Sequence, residues 1–129
     1  MATFQKFTDI EAWQKAPKLT FEIYEVTKRA PFSRDFELRG QIRDASVSIM
    51  SKIAEGFDRS GTGEFIQFLS IAKGSAAEVI SQLYVALDQK YITKEEFDRL
   101  CSLATEVGRE IGALMNYLRK SGIKGVKFR

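Results

Sequence analysis

Histidine is absent from the 129 residues, cysteine occurs once and proline twice. Without histidine there is no Ser-His-Asp or Cys-His nucleophilic pair, no His-ligated zinc and no histidine-held haem. The Glu-x-x-His motif by which ferritin-like bundles hold two metals is excluded as well. Cys101 alone makes no intrachain disulfide, and its place in a helical apolar pattern reads as a core thiol, not a reactive one. No apolar run approaches the ~18 residues a membrane span requires. Met1 to Thr8 lack the charged-then-apolar pattern of a secretory signal, so cytoplasmic residence is expected. Only Pro17 and Pro31 interrupt the chain, and of the nine glycines Gly61, Gly63, Gly122 and Gly125 gather at candidate helix ends and in the tail. That is the punctuation of a few long elements.

Acidic residues are missing from one stretch. From Arg119 to Arg129 the chain carries Arg119, Lys120, Lys124, Lys127 and Arg129 with no Asp or Glu, a charge of +5. The first 118 residues hold 15 basic and 17 acidic side chains, so the body is near neutral and the net +3 comes from the tail.

What the sequence has in quantity is helical periodicity. Phe65, Leu69, Ala72, Ala76, Val79, Leu83 and Ala86 recur at steps of 4 and 3 within Glu64 to Lys90, the spacing of a seam packed against other helices. A second row, Phe68, Ile71, Ser75, Ile80, Tyr84 and Leu87, lies beside it. A helix at the edge of a small monomer needs one apolar stripe roughly 100° wide. Two stripes predict that further helices or a second subunit cover the spare face, with Phe68, Ile71, Ile80, Tyr84 and Leu87 as candidate interface.

Three more helices follow from the same reading. Thr8 and Glu11 form an expected capping box at the first, where Pro17 predicts a kink or a late start. Ser33 or Asp35 can cap the second, whose inner face is Leu38, Ile42, Ala45, Ile49, Ile53 and Phe57. Thr93 and Glu96 form a capping box for the fourth, with Ile92 and Phe97 as its hydrophobic staple. Its inner face is Phe97, Leu100, Ala104, Val107, Ile111, Leu114 and Leu118, and Gly122 can stop it. The predicted helices are 9–29, 36–58, 64–90 and 94–120. They form an all-α, antiparallel up-down-up-down four-helix bundle over residues 1–122 with a basic tail at 123–129.

Four strings carry a resemblance: Phe7-Thr8-Asp9-Ile10-Glu11-Ala12-Trp13, Leu38-Arg39-Gly40-Gln41-Ile42-Arg43-Asp44, Ile53-Ala54-Glu55-Gly56-Phe57 and Phe68-Leu69-Ser70-Ile71-Ala72-Lys73-Gly74-Ser75. Over about residues 7 to 120 the chain resembles the bacterial four-helix-bundle family named for open reading frames in intervening sequences of 23S ribosomal RNA genes. The resemblance implies a four-helix protomer, a homopentameric ring and no established catalytic activity. The accessory protein of diversity-generating retroelements is similar at a distance, and that relative binds nucleic acid and a reverse transcriptase. The chain departs from the family's pattern at Pro17, at Met50 where proline is usual, and at Lys52 where asparagine is usual.

Candidate site residues are few. Glu55 and Glu78 lie closest to apolar seams and could in principle serve acid–base or metal chemistry. Without histidine or further inner ligands, structural ion pairing among Arg43, Glu55 and Glu78 is the preferred reading. Arg39 and Arg43 share a helix face that could track phosphates, although Asp35, Glu37 and Asp44 are interleaved with them. The tail is the stronger phosphate candidate, because an oligomer multiplies its charge. Phe32, Phe36, Phe57, Tyr91 and Tyr117 near helix ends read as core closure before base stacking. Gly61-Thr62-Gly63 is too short for a phosphate loop and lacks its lysine.

The resulting expectation is a non-enzymatic homo-oligomer with no cofactor and no bound metal. It contacts RNA or DNA through the tail and the Arg39/Arg43 face, or instead recruits a partner protein without nucleic acid. A carboxylate enzyme is the least favoured reading.

Overall fold

Four helices make up most of the computed structural model, which describes residues 4–59 and 61–121. They are α1 (Glu11–Thr27), α2 (Phe36–Asp58), α3 (Thr62–Asp88) and α4 (Lys94–Ser121). Short 3-10 turns at Phe7–Asp9 and Phe32–Arg34 precede α1 and α2. Gly122, Lys124, Lys127 and Arg129 lie outside the described residues.

Cross-helix contacts fix the directions. Lys15 reaches Glu106 and Glu110, while Arg29 reaches Glu96, so α1 and α4 run antiparallel. The Thr20 hydroxyl donates to the Ser46 carbonyl and Arg43 donates to Thr27, which sets α2 against α1. Ser75 meets Ser48, and Gly56 lies against Phe65 and Phe68, which sets α3 against α2. Tyr84 packs on Phe97 and Gly108 faces Ala76, which sets α4 against α3. The bundle is antiparallel, up-down-up-down.

Burial follows the expected periodicity closely. The row from Phe65 to Ala86 is buried throughout, as is the α2 row from Leu38 to Phe57. On α4 Met115 is buried in place of the expected Leu114, and the half-buried Leu114 lines a surface cleft against Ile10.

Helix ends show which local signals prevailed. Asp35 caps α2, its Oδ1 accepting from the Leu38 N–H at 3.1 Å. Thr93 and Glu96 form the reciprocal box, at 2.9 and 3.1 Å, and Ile92 and Phe97 are both buried beside it.

The Thr8/Glu11 box does not form. The Asp9 carboxylate instead accepts from the Gln5 and Lys6 N–H groups at 2.9 and 3.0 Å. Those two bonds hold the 3-10 turn and hold the Asp9 carboxyl below its ordinary range. Helix α1 therefore begins at Glu11, after Ile10, whose side chain cannot cap.

Pro17 produces no late start either. Six helical residues precede it and α1 continues to Thr27. One lost hydrogen bond is outweighed by the buried face of Ala12, Ala16, Leu19 and Ile23.

Helix α3 stops without glycine. Lys90 adopts φ 63°, its N–H donating to the Leu87 carbonyl and the Tyr91 N–H to the Ala86 carbonyl, both at 2.9 Å. This is a Schellman stop with a lysine in the left-handed position that glycine fills more cheaply. Lys90→Gly is expected to raise stability by about 0.5–1 kcal/mol in a thermal melt. An unchanged or lower midpoint would argue against strain at this residue.

Candidate functional site

The arginine face is partly spent on the fold. Arg43 lies between α1 and α2, its Nε donating to Thr27 Oγ1 at 2.8 Å and its guanidinium 4.5 Å from the Tyr24 ring centroid. Tyr24 and Thr27 are one helical turn apart on α1, so together they form the seat for this guanidinium. Arg39 donates to the Ser33 carbonyl at 2.8 Å and sits 4.8 Å from the Phe36 ring centroid. Both arginines are half-buried. They remain on one face, as the sequence predicts, but as clasps of the α1–α2 connection. Arg119 and Lys120 are exposed in the last turn of α4.

The expected ion pairing among Arg43, Glu55 and Glu78 is not what the fold builds. Glu55 is exposed and sits beside Lys52 at 3.3 Å and Arg59 at 3.7 Å, the first on its own helix and the second just past its end. Glu78 is exposed and has no ion-pair partner among the described residues. Glu55 stands three turns along α2 from Arg43, which faces α1, whereas Glu78 belongs to α3. Neither carboxylate lies in the core.

Cross-helix pairing occurs elsewhere, along the α1–α4 seam. Lys15 bridges Glu106 and Glu110, Arg99 Nε donates to Glu22 at 2.6 Å, and Arg29 grips Glu96 through both its terminal nitrogens. Arg29 draws the Glu96 carboxyl down to about 2, from an ordinary 4.5. Spacing within one helix gives no signal for such pairs.

The aromatic residues near helix ends divide. Phe32 and Phe57 are buried, and Tyr91 stacks on Phe32 while its hydroxyl donates to Asp35 at 2.9 Å. Phe36 does not close the core: it is 70% exposed under Arg39. Cys101 is half-buried against the core, and burial raises its thiol pKa, which makes a reactive thiolate less available.

The second row of α3 is not one face. Phe68 lies on the α2 side, beneath the cations of Lys52 and Arg59, and Ser75 donates to Ser48 of α2. Tyr84 lies on the α4 side, edge-on to Phe97 at 4.9 Å. The step of five residues from Ser75 to Ile80 turns the row by about 140° around the axis, carrying it from one flank to the other. Ile71 is 50% and Tyr84 59% exposed, whereas Phe68, Ile80 and Leu87 are half-buried by neighbouring helices. The monomer hides more of this row than its spacing suggests, and what remains is two separate spots.

A cleft of about 610 Å³ lies where the N-terminal segment crosses α4, lined by Phe4, Ile10, Leu114 and Tyr117 with Asp9, Glu11 and Glu110 at its rim. It joins no acid, base and nucleophile in one place. Among the described residues no three metal-ligating side chains converge, and no helix is long and apolar enough to cross a membrane.

A four-helix bundle with structural arginines and mixed-charge flanks is the class this geometry defines. The 23S rRNA-intervening sequence protein family matches residues 8–113, and the chain belongs to that family. Among solved structures it is similar to a protein of unknown function from the S23 ribosomal protein family of Bacteroides thetaiotaomicron. The TM-score is 0.74 at 22% identity, over 81% of this chain and 97% of that one. That likeness shows the fold. No curated protein matches the chain.

Proposed function

We propose that this protein is a non-enzymatic cytoplasmic scaffold that works as a self-associated assembly, in the homopentameric form that the family resemblance implies. The observation that carries the reading is apolar exposure on α3, where Ile71, Tyr84 and Val85 are each about half uncovered. Helix α3 already has α2 and α4 on its flanks, so a further copy of the chain is the natural cover for these side chains. Light scattering at two concentrations tests it. A mass near five times 14.6 kDa is expected, falling toward one subunit in Ile71→Glu. A wild-type mass of one subunit at high concentration would defeat the reading.

A second reading, contact with RNA or DNA, is favoured by the +5 charge of residues 119–129. Tail phosphate contacts would add to any made by Arg39 and Arg43, whose guanidiniums keep donors beyond those given to Ser33 and Thr27. Each neutralised duplex phosphate contributes about −0.9 to the log–log salt slope. Titrating random single- and double-stranded nucleic acid from low to high salt is expected to show affinity falling steeply. Affinity indifferent to salt would leave protein recruitment as the role of the assembly.

A further inference from the structure

The groove between α2 and α3, toward the α3 C-terminus, carries a single sign of charge. Asp35, Glu37, Asp44 and Glu78 line two adjoining hollows of about 510 and 280 Å³, which share Gln41 and Glu78. Among the described residues no Lys or Arg lines either hollow. Asp35 is committed to the Leu38 N–H and the Tyr91 hydroxyl. Glu37, Asp44 and Glu78 have no ion-pair partner among the described residues, and all three are exposed.

An unpaired acceptor lies in the same place. Gln82 lines the larger hollow and is only 7% exposed, and its buried Oε1 accepts no hydrogen bond among the described residues. A buried carbonyl oxygen left unpaired is destabilising, and an incoming N–H would relieve it. Leu38 and Val85 add apolar surface to the same hollow. Carboxylates for charge, a buried amide oxygen for an N–H and aliphatic wall for a methylene stem together describe a receptor for lysine or arginine side chains. The carboxylates are too dispersed for a metal ion, since no three ligating groups converge among the described residues.

We propose that this groove receives the basic segment 119–129 of a second copy of the chain. The idea rests on the self-association reading and names one contact that would sustain it. The segment has five cationic side chains and no acidic one, the complement of the groove. Its own groove is poorly placed for it. Gly108 lies opposite Ala76 and Gly112 opposite Lys73, so Ser121 stands level with the start of α3. From there to Gln82 is about 19 residues of helix, or ~28 Å. Crossing from α4 past α3 adds a further ~8–10 Å sideways. Lys124, Lys127 and Arg129 lie three, six and eight residues beyond Ser121, with Cα reaches of about 10, 21 and 28 Å, so the segment's own Glu78 and Gln82 are met only if it is stretched almost straight. A neighbouring subunit's segment has no such limit.

The test uses the full-length chain and sedimentation at several concentrations. Reversing the groove (Glu37→Lys with Glu78→Lys) or the segment (Lys124→Glu with Lys127→Glu) is expected to weaken assembly about tenfold or more. Mixing the two reversed chains is expected to restore association, since each then offers the other a complementary pair. Gln82→Leu separates binding from folding: the thermal midpoint should hold or rise while the dissociation constant increases. If the wild type assembles and none of these changes alters its association, the groove assignment is wrong and self-association stands. The groove assignment falls in the same way if the reversed chains fail to rescue one another. If the wild type is monomeric throughout, the reading beneath the proposal fails first.

Discussion

Gly56→Ala is expected to destabilise the bundle by a net ~1–3 kcal/mol and to lower its melting midpoint by roughly 4–10 °C. A Cβ at this position would stand 2.5 Å from Phe68 Cβ and 3.2 Å from Phe65 Cδ1. Phe68 Cβ is fixed to its own backbone, so no rotamer change relieves the clash, and α2 and α3 must separate. They are poorly able to do so, because only residues 59–61 connect them. Alanine's better helix propensity returns about 1 kcal/mol, which the overpacking must exceed. Gly74→Ala is the control. Nothing among the described residues lies within 4 Å of a Cβ there, so propensity alone should raise stability by about 0.5–1 kcal/mol. Parallel melts of the two variants decide the matter, and equal gains in both would refute the close approach at Gly56.

Acid should loosen the α1–α4 seam through one carboxylate. Glu96 sits at about 2 in the folded chain because Arg29 grips both its oxygens, with Thr93 donating as well. The folded state therefore binds this proton more weakly than the unfolded chain does. Its contribution is present above about pH 4.5, shrinks as pH falls, and is lost as pH falls through about 2. Arg29 is about half exposed, so solvent screening leaves only about 1–2 kcal/mol of the stabilisation the shift implies. Glu96→Gln keeps an acceptor for the Thr93 N–H and removes the charge. Denaturant titrations should find the variant less stable by that amount at pH 7, with the gap closing toward pH 2.5. A gap that stays constant across this range would mean the pair contributes nothing through its charge.

Much of the bundle is legible in the sequence, for reasons that differ by element. The bounds of α2 can be read because its cap, Asp35, and its buried row, Leu38 to Phe57, are both local patterns. The α3 seam is legible because burial at steps of three and four leaves no competing period. The end of α3 is not, since a lysine supplies the left-handed stop that sequence reasoning expects from glycine. The start of α1 escapes the capping pattern because Asp9 turns back to Gln5 and Lys6, a competition that no such pattern settles.

Cross-helix partners are the least legible part of the candidate site. Arg43 can be placed on a helix face from spacing, but its seat on Tyr24 and Thr27 depends on which helix lies opposite. The orphaned Gln82 oxygen gives no signal at all, because an exposed glutamine and a buried one look alike in a string of letters. The Ile-Ala-Glu-Gly string shows the contrast within four residues. Its glutamate is solvated, and its glycine is where two helices nearly touch.

The jump of the α3 row between Ser75 and Ile80 bears on how copies can meet. Ile71 and Tyr84 point away from each other and stand about 20 Å apart along the axis. A twofold pair matches a patch to itself, and would leave one of these two uncovered. Unlike patches call for head-to-tail joints, in which each molecule is grasped on one side and grasps on the other. The angle between the joints then decides whether the series closes into a ring, and after how many members.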